Sequence, residues 1–174
     1  MVELTILNIF NDEQVSNSEY SLYKIRNSVR AILIDNELNI ALIHSIKGNY
    51  YTLPGGAVEN ETLENAVIRE SLEETGCNVE VVSYLGTVFQ IWKEKELFIN
   101  SSCFICNVIG GKGLPKLNDL DSDFEKESEV VWFSFSEVLK VFKTPFKQEN
   151  LYQKYIRETD LKFLETYFQS LSKF

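Results

Sequence analysis

The chain is poor in the residues from which several kinds of site are built. Its 174 residues hold one histidine (His44), three cysteines, three prolines, one methionine and two tryptophans. A lone histidine, with no serine or cysteine nucleophile signature beside it, leaves no material for a Ser/His or Cys/His triad. Three cysteines are an odd count in a chain this long, which argues for reduced thiols and a cytoplasmic protein over a disulfide framework. Cys103 and Cys106 form a C-x-x-C within an apolar strand pattern, where alternation sends the two thiols to opposite faces. With no second pair available, neither a zinc site nor a redox pair is expected. No apolar run approaches the roughly 20 residues that cross a bilayer, so no membrane partner is expected. The N-terminus lacks the basic region, apolar run and small-residue cleavage site of a secretory signal. Basic residues are outnumbered 17 to 26, for a net charge of −9. Polymeric nucleic acid needs a basic surface and is not expected as a partner. A small nucleotide held through a metal is compatible with this charge.

What is present fits one globular domain. Hydrophobic residues make up 44% and aromatics 13%, enough for a proper core in a chain of this length. Residues 2–10 read as a β-run, followed by a polar loop to Glu19. Strands are expected at 28–34, 39–45, 50–53, 79–92, 97–109 and 130–135, with polar turns between them. Gly110-Gly111-Lys112-Gly113 lacks phosphate-loop spacing and reads as a turn. Residues 118–129 read as an acidic loop. Ser136 can cap a short helix to Phe142. Apolar residues recur at helical spacing over 151–168, where Thr159 or Asp160 can cap a second piece. Strands on both sides of a central helix, closed by C-terminal helices, give α/β layering.

The central helix lies in residues 53–77. Leu53-Pro54-Gly55-Gly56 breaks the preceding strand. Thr62 can cap a helix, and Gly76 can end it in a left-handed conformation. At about 100° per residue, Leu63, Ala66 and Val67 share a face with Glu70, Glu73 and Glu74. Carboxylates at i, i+3 and i+4 repel one another, and they are costly to desolvate where an apolar stripe would continue. A divalent cation held by oxygens removes both costs, while a solvated acidic face is the plainer alternative.

This stretch resembles the signature of the Nudix hydrolases, G-x5-E-x7-R-E-U-x-E-E-x-G-U, with U a bulky apolar residue. Gly55, Glu61, Arg69, Glu70, Glu73, Glu74 and Gly76 fall on its spacing. Two positions depart from it: Ser71 stands at the first apolar position and Cys77, which is small, at the last. The loop from the Gly-Gly pair to Glu61 is also one residue shorter than is usual in the family. The resemblance implies an α/β Nudix fold, a mixed β-sheet sandwiched between helices. The domain would span 26–174, including C-terminal helices from about 146. Residues 1–25 would be an N-terminal extension, either an added hairpin or part of a homodimer contact.

The resemblance further implies a magnesium- or manganese-dependent hydrolase acting on a nucleoside diphosphate linked to another group. By position match, Glu70, Glu73 and Glu74 would bind metal, with the Gly55 carbonyl as a further ligand. Glu70 or Glu73 would be the general base. Arg69, at a catalytic position, cannot be a base and would orient the acidic cluster by pairing with Glu61. Family members often draw one more acidic ligand from a loop before the penultimate strand; Glu127, in the group Glu125, Glu127 and Glu129, is the candidate. Members that cleave ADP-ribose often carry a proline shortly past the signature, and those acting on dinucleoside polyphosphates a tyrosine. Here that region reads Gln90-Ile91-Trp92. A nucleoside triphosphate, intact or oxidised, is therefore the favoured substrate. Tyr51, Phe89 and Trp92 are candidates to stack on its base, with core packing the competing use. The alternative function is a non-catalytic sensor of nucleotide metabolites, although such relatives usually lose signature glutamates.

Overall fold

Runs of β-branched and aromatic residues, punctuated by Asn, Gly and charged pairs, set up the strands. The computed structural model describes residues 5–115, 127–147 and 149–172. Among these the strands are β1 (Ile6–Phe10), β2 (Lys24–Ile34), β3 (Asn39–Ser45), β4 (Tyr50–Thr52), β5 (Asn78–Trp92), β6 (Leu97–Ile109) and β7 (Ser128–Ser134). The helices are α1 (Asn17–Tyr20), α2 (Leu63–Thr75), α3 (Phe135–Lys143) and α4 (Leu151–Leu171). Most of the acidic loop expected at 118–129 lies outside the described residues. The strand order is β1-β5-β6-β2-β3-β4, with β7 on the other edge of β3. β1 runs parallel to β5 and β2 parallel to β6, while the remaining pairs are antiparallel.

Both faces of this mixed sheet are covered, which the period of two along β2 makes plain. Val29, Ala31 and Leu33 pack with Phe104 and Cys106 against Ala66 and Val67 of α2. Ile32 and Ile34 pack on the opposite side with Val138 and Phe142 of α3 and with Phe163, Leu164 and Tyr167 of α4. This is the α/β sandwich expected from the sequence. Cys103 joins the α4-side cluster and Cys106 the α2-side cluster. All three thiols are free and buried, and burial pushes the Cys106 thiol up to about 12 and Cys103 well up.

The sheet splits beside β2. The hairpin partner β3 pairs with β2 at Ile34↔Ile40, then leaves it for β4, while β7 runs along the other edge of β3 from Asn39 to Ser45. The freed edge of β2 is taken by the Pro-Gly-Gly turn. Ala31 N–H donates to the Pro54 carbonyl (2.8 Å), Val29 N–H to Gly56 (2.9 Å), and Val58 N–H to Asn27 (3.0 Å). Backbone groups of a split strand would otherwise be left unpaired, so the split fixes where the turn, and the helix after it, must sit.

Several local expectations are corrected. Among the described residues the N-terminal segment forms no hairpin: β1 is an edge strand of the main sheet, and the chain after it is tied down by a Lys154–Asp12 ion pair and by Lys93 N–H donating to Glu13 (3.0 Å). The cap of α3 is Ser134, not Ser136; its N–H and hydroxyl both donate to Glu137, which holds that carboxyl below its ordinary value. Neither Thr159 nor Asp160 caps a second piece, because α4 is continuous and both lie buried inside it. Thr159 accepts from the Gln90 side chain (2.6 Å), and Asp160 accepts from Thr52 and Leu53. Tertiary partners thus use the side chains that local reading assigned to a helix start. Leu63, placed on the apolar face of α2, is exposed, whereas Ala66 and Val67 are fully buried. No described helix is long and apolar enough to cross a membrane.

Candidate active site

α2 starts at Thr62, whose hydroxyl accepts from Asn65 N–H (3.2 Å), and stops at Gly76 in the left-handed region (φ 69°). The turn before it lies flat on β2 because residue 55 is glycine. Its φ is 147°, and a Cβ there would come 2.1 Å from the Val29 carbonyl oxygen. Both ends of the loop–helix–loop are therefore set by positions that only glycine fills without strain.

Arg69 ties the acidic residues together. Its Nε and Nη2 donate to Glu61 Oε1 (3.0 and 2.7 Å). Its Nη1 reaches Glu70 Oε1 and Glu73 Oε2, each at 2.9 Å, and Nη2 also bonds the Ala57 carbonyl (3.0 Å). Glu74 turns to the glycine loop, where its Oε2 accepts from Gly55 N–H (2.7 Å). Glu70 is nearly buried, and burial raises its carboxyl pKa against the pull of Arg69, with Glu73 adding to the rise. Burial would lower the Arg69 pKa, but Glu61, Glu70 and Glu73 hold it above its ordinary value. The repulsion expected among i, i+3 and i+4 carboxylates is thus answered by one guanidinium, a fork able to bridge several oxygens. A Cβ on Gly56 would fall 2.4–2.6 Å from the Glu70 carboxylate, so the missing side chain is what leaves Glu70 its place.

Glu70, Glu73, Glu74, Gly55 and Arg69, all singled out from the sequence, are brought together here with Glu61. Glu127 is not bonded into this group: it is exposed and its ion-pair partner is Lys47, at 3.9 Å. The candidate stacking residues do not form one platform. Tyr51 stacks on His44 (4.5 Å between centroids) and meets Phe133 edge-on. Phe89 stacks on Phe98, while Trp92, on the other side of β5, stacks on Tyr152 of α4. The sequence reading missed Gly56, the Ala57 carbonyl, Thr52, Arg30 and Asp160. Asp160, with no exposed surface, accepts from the Thr52 hydroxyl (2.9 Å) and Leu53 N–H (2.8 Å). α4 thereby anchors the strand that enters the Pro54-Gly55 turn. No local pattern marks these partners, which are more than a hundred residues apart.

The donor chemistry suits a hard divalent cation: carboxylate oxygens, one of them poorly solvated, beside a glycine that leaves them room. Among the described residues, no three His, Cys, Asp or Glu side chains are already gathered around one point, and the Arg69 guanidinium lies between Glu70 and Glu73.

A mixed sheet between helical layers, with a glycine turn and a carboxylate-bearing helix seated where the sheet splits, defines a Nudix-type domain. Residues 24–155 match the NUDIX domain family, and the chain belongs to the Nudix hydrolase superfamily. It is 35% identical over 108 residues to an ADP-ribose pyrophosphatase of Methanocaldococcus jannaschii, a match covering 62% of this chain and 57% of that protein. It is 38% identical over 103 residues to an NAD-capped RNA hydrolase of Schizosaccharomyces pombe, covering 59% of this chain and 25% of that one. The chain thus matches less than two thirds of the length of these relatives. Among solved structures, a Nudix hydrolase of Nitrosomonas europaea superposes with a TM-score of 0.63 at 19% identity, covering 84% of this chain and 90% of the other. A MutT protein of Methanosarcina mazei gives 0.58 at 20% identity, covering 86% and 96%. At such identities the likeness concerns the fold alone.

Proposed function

We propose that this chain is a divalent-cation-dependent pyrophosphohydrolase that cleaves a phosphoanhydride bond in a nucleoside diphosphate linked to another group. The observation that carries the reading is the carboxylate group on α2, Glu70 and Glu73 bridged by Arg69 and Glu74 tied to the Gly55 amide. Glu70, Glu73 and Glu74 would hold magnesium or manganese, which when bound neutralises charge developing on the phosphates and acidifies an attacking water. Arg69 cannot take a proton. It holds one oxygen of Glu70 and one of Glu73, leaving their other oxygens for cation or water. Glu70 and Glu73 are the two candidates for the proton acceptor. Asp160 and Glu74 together fix the Leu53–Gly55 turn on which the substrate would rest.

The substrate class is supported by the relatives' names, an ADP-ribose pyrophosphatase and an NAD-capped RNA hydrolase. They favour a diphosphate of the ADP-ribose or NAD type over the triphosphate expected from Gln90-Ile91-Trp92. That stretch serves packing: Gln90 is buried and its side chain donates to the Tyr155 carbonyl and Thr159 of α4. The test is product release with Mg2+ or Mn2+ from ADP-ribose, NAD, NAD-capped RNA, dinucleoside polyphosphates, and intact and oxidised nucleoside triphosphates. At least one is expected to release a mononucleotide or inorganic phosphates. Glu73→Gln and Glu74→Gln should each lower turnover by orders of magnitude in folded protein. Binding without turnover across the whole panel would support the sensor instead, and a folded Glu73→Gln variant of normal activity would overturn the metal assignment.

A further inference from the structure

Arg30 is a cation in the middle of β2, with its side chain only 16% exposed, in a chain where acidic residues outnumber basic ones. A guanidinium carries five N–H donors. Among the described residues, the hydrogen bond formed by this one is Nη1 to its neighbour's carbonyl, Val29 O (3.1 Å). Its Nε is buried without a hydrogen-bond partner. The facing anion is Asp160, whose Oδ1 lies 3.5 Å from Nε and is itself buried without a hydrogen bond. An arginine present only to neutralise a buried aspartate would close on it as a short, two-pronged pair. Here the pair stands open, and Asp160 is already satisfied at Oδ2 by Thr52 and Leu53. Nε faces the Asp160 Oδ1, so the donors left for a ligand are those of the Nη edge. A guanidinium edge left without partners on a side chain only 16% exposed is costly, and calls for a ligand.

Its position says which ligand. A Cβ on Gly55 would come 2.9 Å from the Arg30 Cα, so the Arg30 backbone lies directly beneath the turn whose amide is bonded to Glu74, and its side chain leaves β2 toward Asp160 of α4, within the electrostatic reach of Glu70 and Glu74. Burial would lower the guanidinium pKa, but Asp160 and Glu74 hold it above its ordinary value. We propose that Arg30 is the phosphate-binding residue of this site, its free N–H groups taking an oxygen of the substrate's diphosphate beside the α2 carboxylates. The inference rests on the diphosphate-hydrolase reading above. It gives the site a fixed positive charge opposite the carboxylates, and the planar fork of arginine matches a phosphate where lysine offers only a point charge.

The probe is methylenediphosphonate, a pyrophosphate with carbon in place of the bridging oxygen, titrated calorimetrically into full-length protein with Mg2+. The variant is R30Q/D160N, which removes the guanidinium and its buried counter-charge together. Loss of one or two charge-assisted hydrogen bonds should weaken diphosphonate binding about tenfold or more. It should raise KM for the hydrolysed substrate in proportion, with a smaller change in kcat. Arg30→Lys keeps the charge without the fork and should fall between parent and double variant. A purely structural Arg30 would change the melting temperature and leave diphosphonate affinity untouched. Parental affinity in folded R30Q/D160N overturns the proposal. Should that variant not fold, parental affinity in Arg30→Lys overturns it, as does a parent that binds no diphosphonate. A parent that binds diphosphonate through Arg30 yet hydrolyses nothing would sink the hydrolase reading and leave this one standing.

Discussion

Gly56→Ala separates the site from the fold. The new Cβ would stand 2.4 Å from Glu70 Oε1 and 2.6 Å from its Cδ and Oε2, where ordinary contact begins near 3.4 Å. The carboxylate must therefore withdraw by 3.4 − 2.4, about 1 Å. Gly56 is not among the residues of positive φ, so alanine meets no backbone strain. The obstacle is the free end of a flexible side chain, and the stability change should stay below about 1 kcal/mol. Catalysis is less forgiving, since a misplacement of about 1 Å costs about 100-fold. That corresponds to about 2.7 kcal/mol of transition-state stabilisation. Gly55→Ala is the contrast: its Cβ would lie 2.1 Å from a backbone oxygen, at a φ of 147°, so the fold itself must give. A strained site of that kind costs on the order of 1–3 kcal/mol. Steady-state hydrolysis and urea unfolding of both variants decide the matter. Gly56→Ala within about threefold of parental kcat/KM would refute the claim that this space positions Glu70 for the reaction, as would a stability loss equal to that of Gly55→Ala.

Three further outcomes are expected. Titrating Mg2+ or Mn2+ into cation-free protein should raise its stability, by about 2.7 kcal/mol at a hundred times Kd; a flat melting temperature would contradict a cation on α2. Ser71, fully buried with its hydroxyl unpaired, should gain about 1 kcal/mol on replacement by alanine; a loss in urea unfolding would reveal a partner for that hydroxyl. Asp35 is held below its ordinary pKa: burial pushes it up, but Lys112 (2.6 Å) and the N–H groups of Asn39 (2.7 Å) and Glu37 (2.9 Å) outweigh that. A depressed carboxyl stabilises above its unfolded value and loses the contribution as pH falls through its folded one. Asp35→Asn should therefore cost about 1–3 kcal/mol at neutral pH and flatten the acid limb of the stability curve, whereas an acid limb as steep as the parent's would refute the assignment.

The sequence by itself determined the parts of this protein that depend on neighbours in the chain. Thr62 and Gly76 bound α2 because caps are made with residues three or four positions away. The bounds of β3 and β6 coincide with the expected 39–45 and 97–109 because alternation and turn residues are local signals. The opposite facing of Cys103 and Cys106 followed from the period of the strand alone. The spacing of Glu70, Glu73 and Glu74 put them on one face of one helix, and the signature match added Arg69. Tertiary structure decided whatever joins distant segments. Asp160 was legible as a helix start, yet it is buried in mid-helix because Thr52 and Leu53, at and just past the end of β4, supply its hydrogen bonds. Ser134 replaces Ser136 as a cap because β7 is held in register with β3 as far as Asn39↔Ser134. Tyr51, Phe89 and Trp92 look alike in sequence, but β-sheet geometry sends each to a different aromatic neighbour. Arg30 gained its meaning only when the splitting of β2 from β3 laid the glycine turn across it. The cost of burying an unpaired donor or charge depends on what the fold brings within about 3 Å of it, and spacing along the chain carries no record of that.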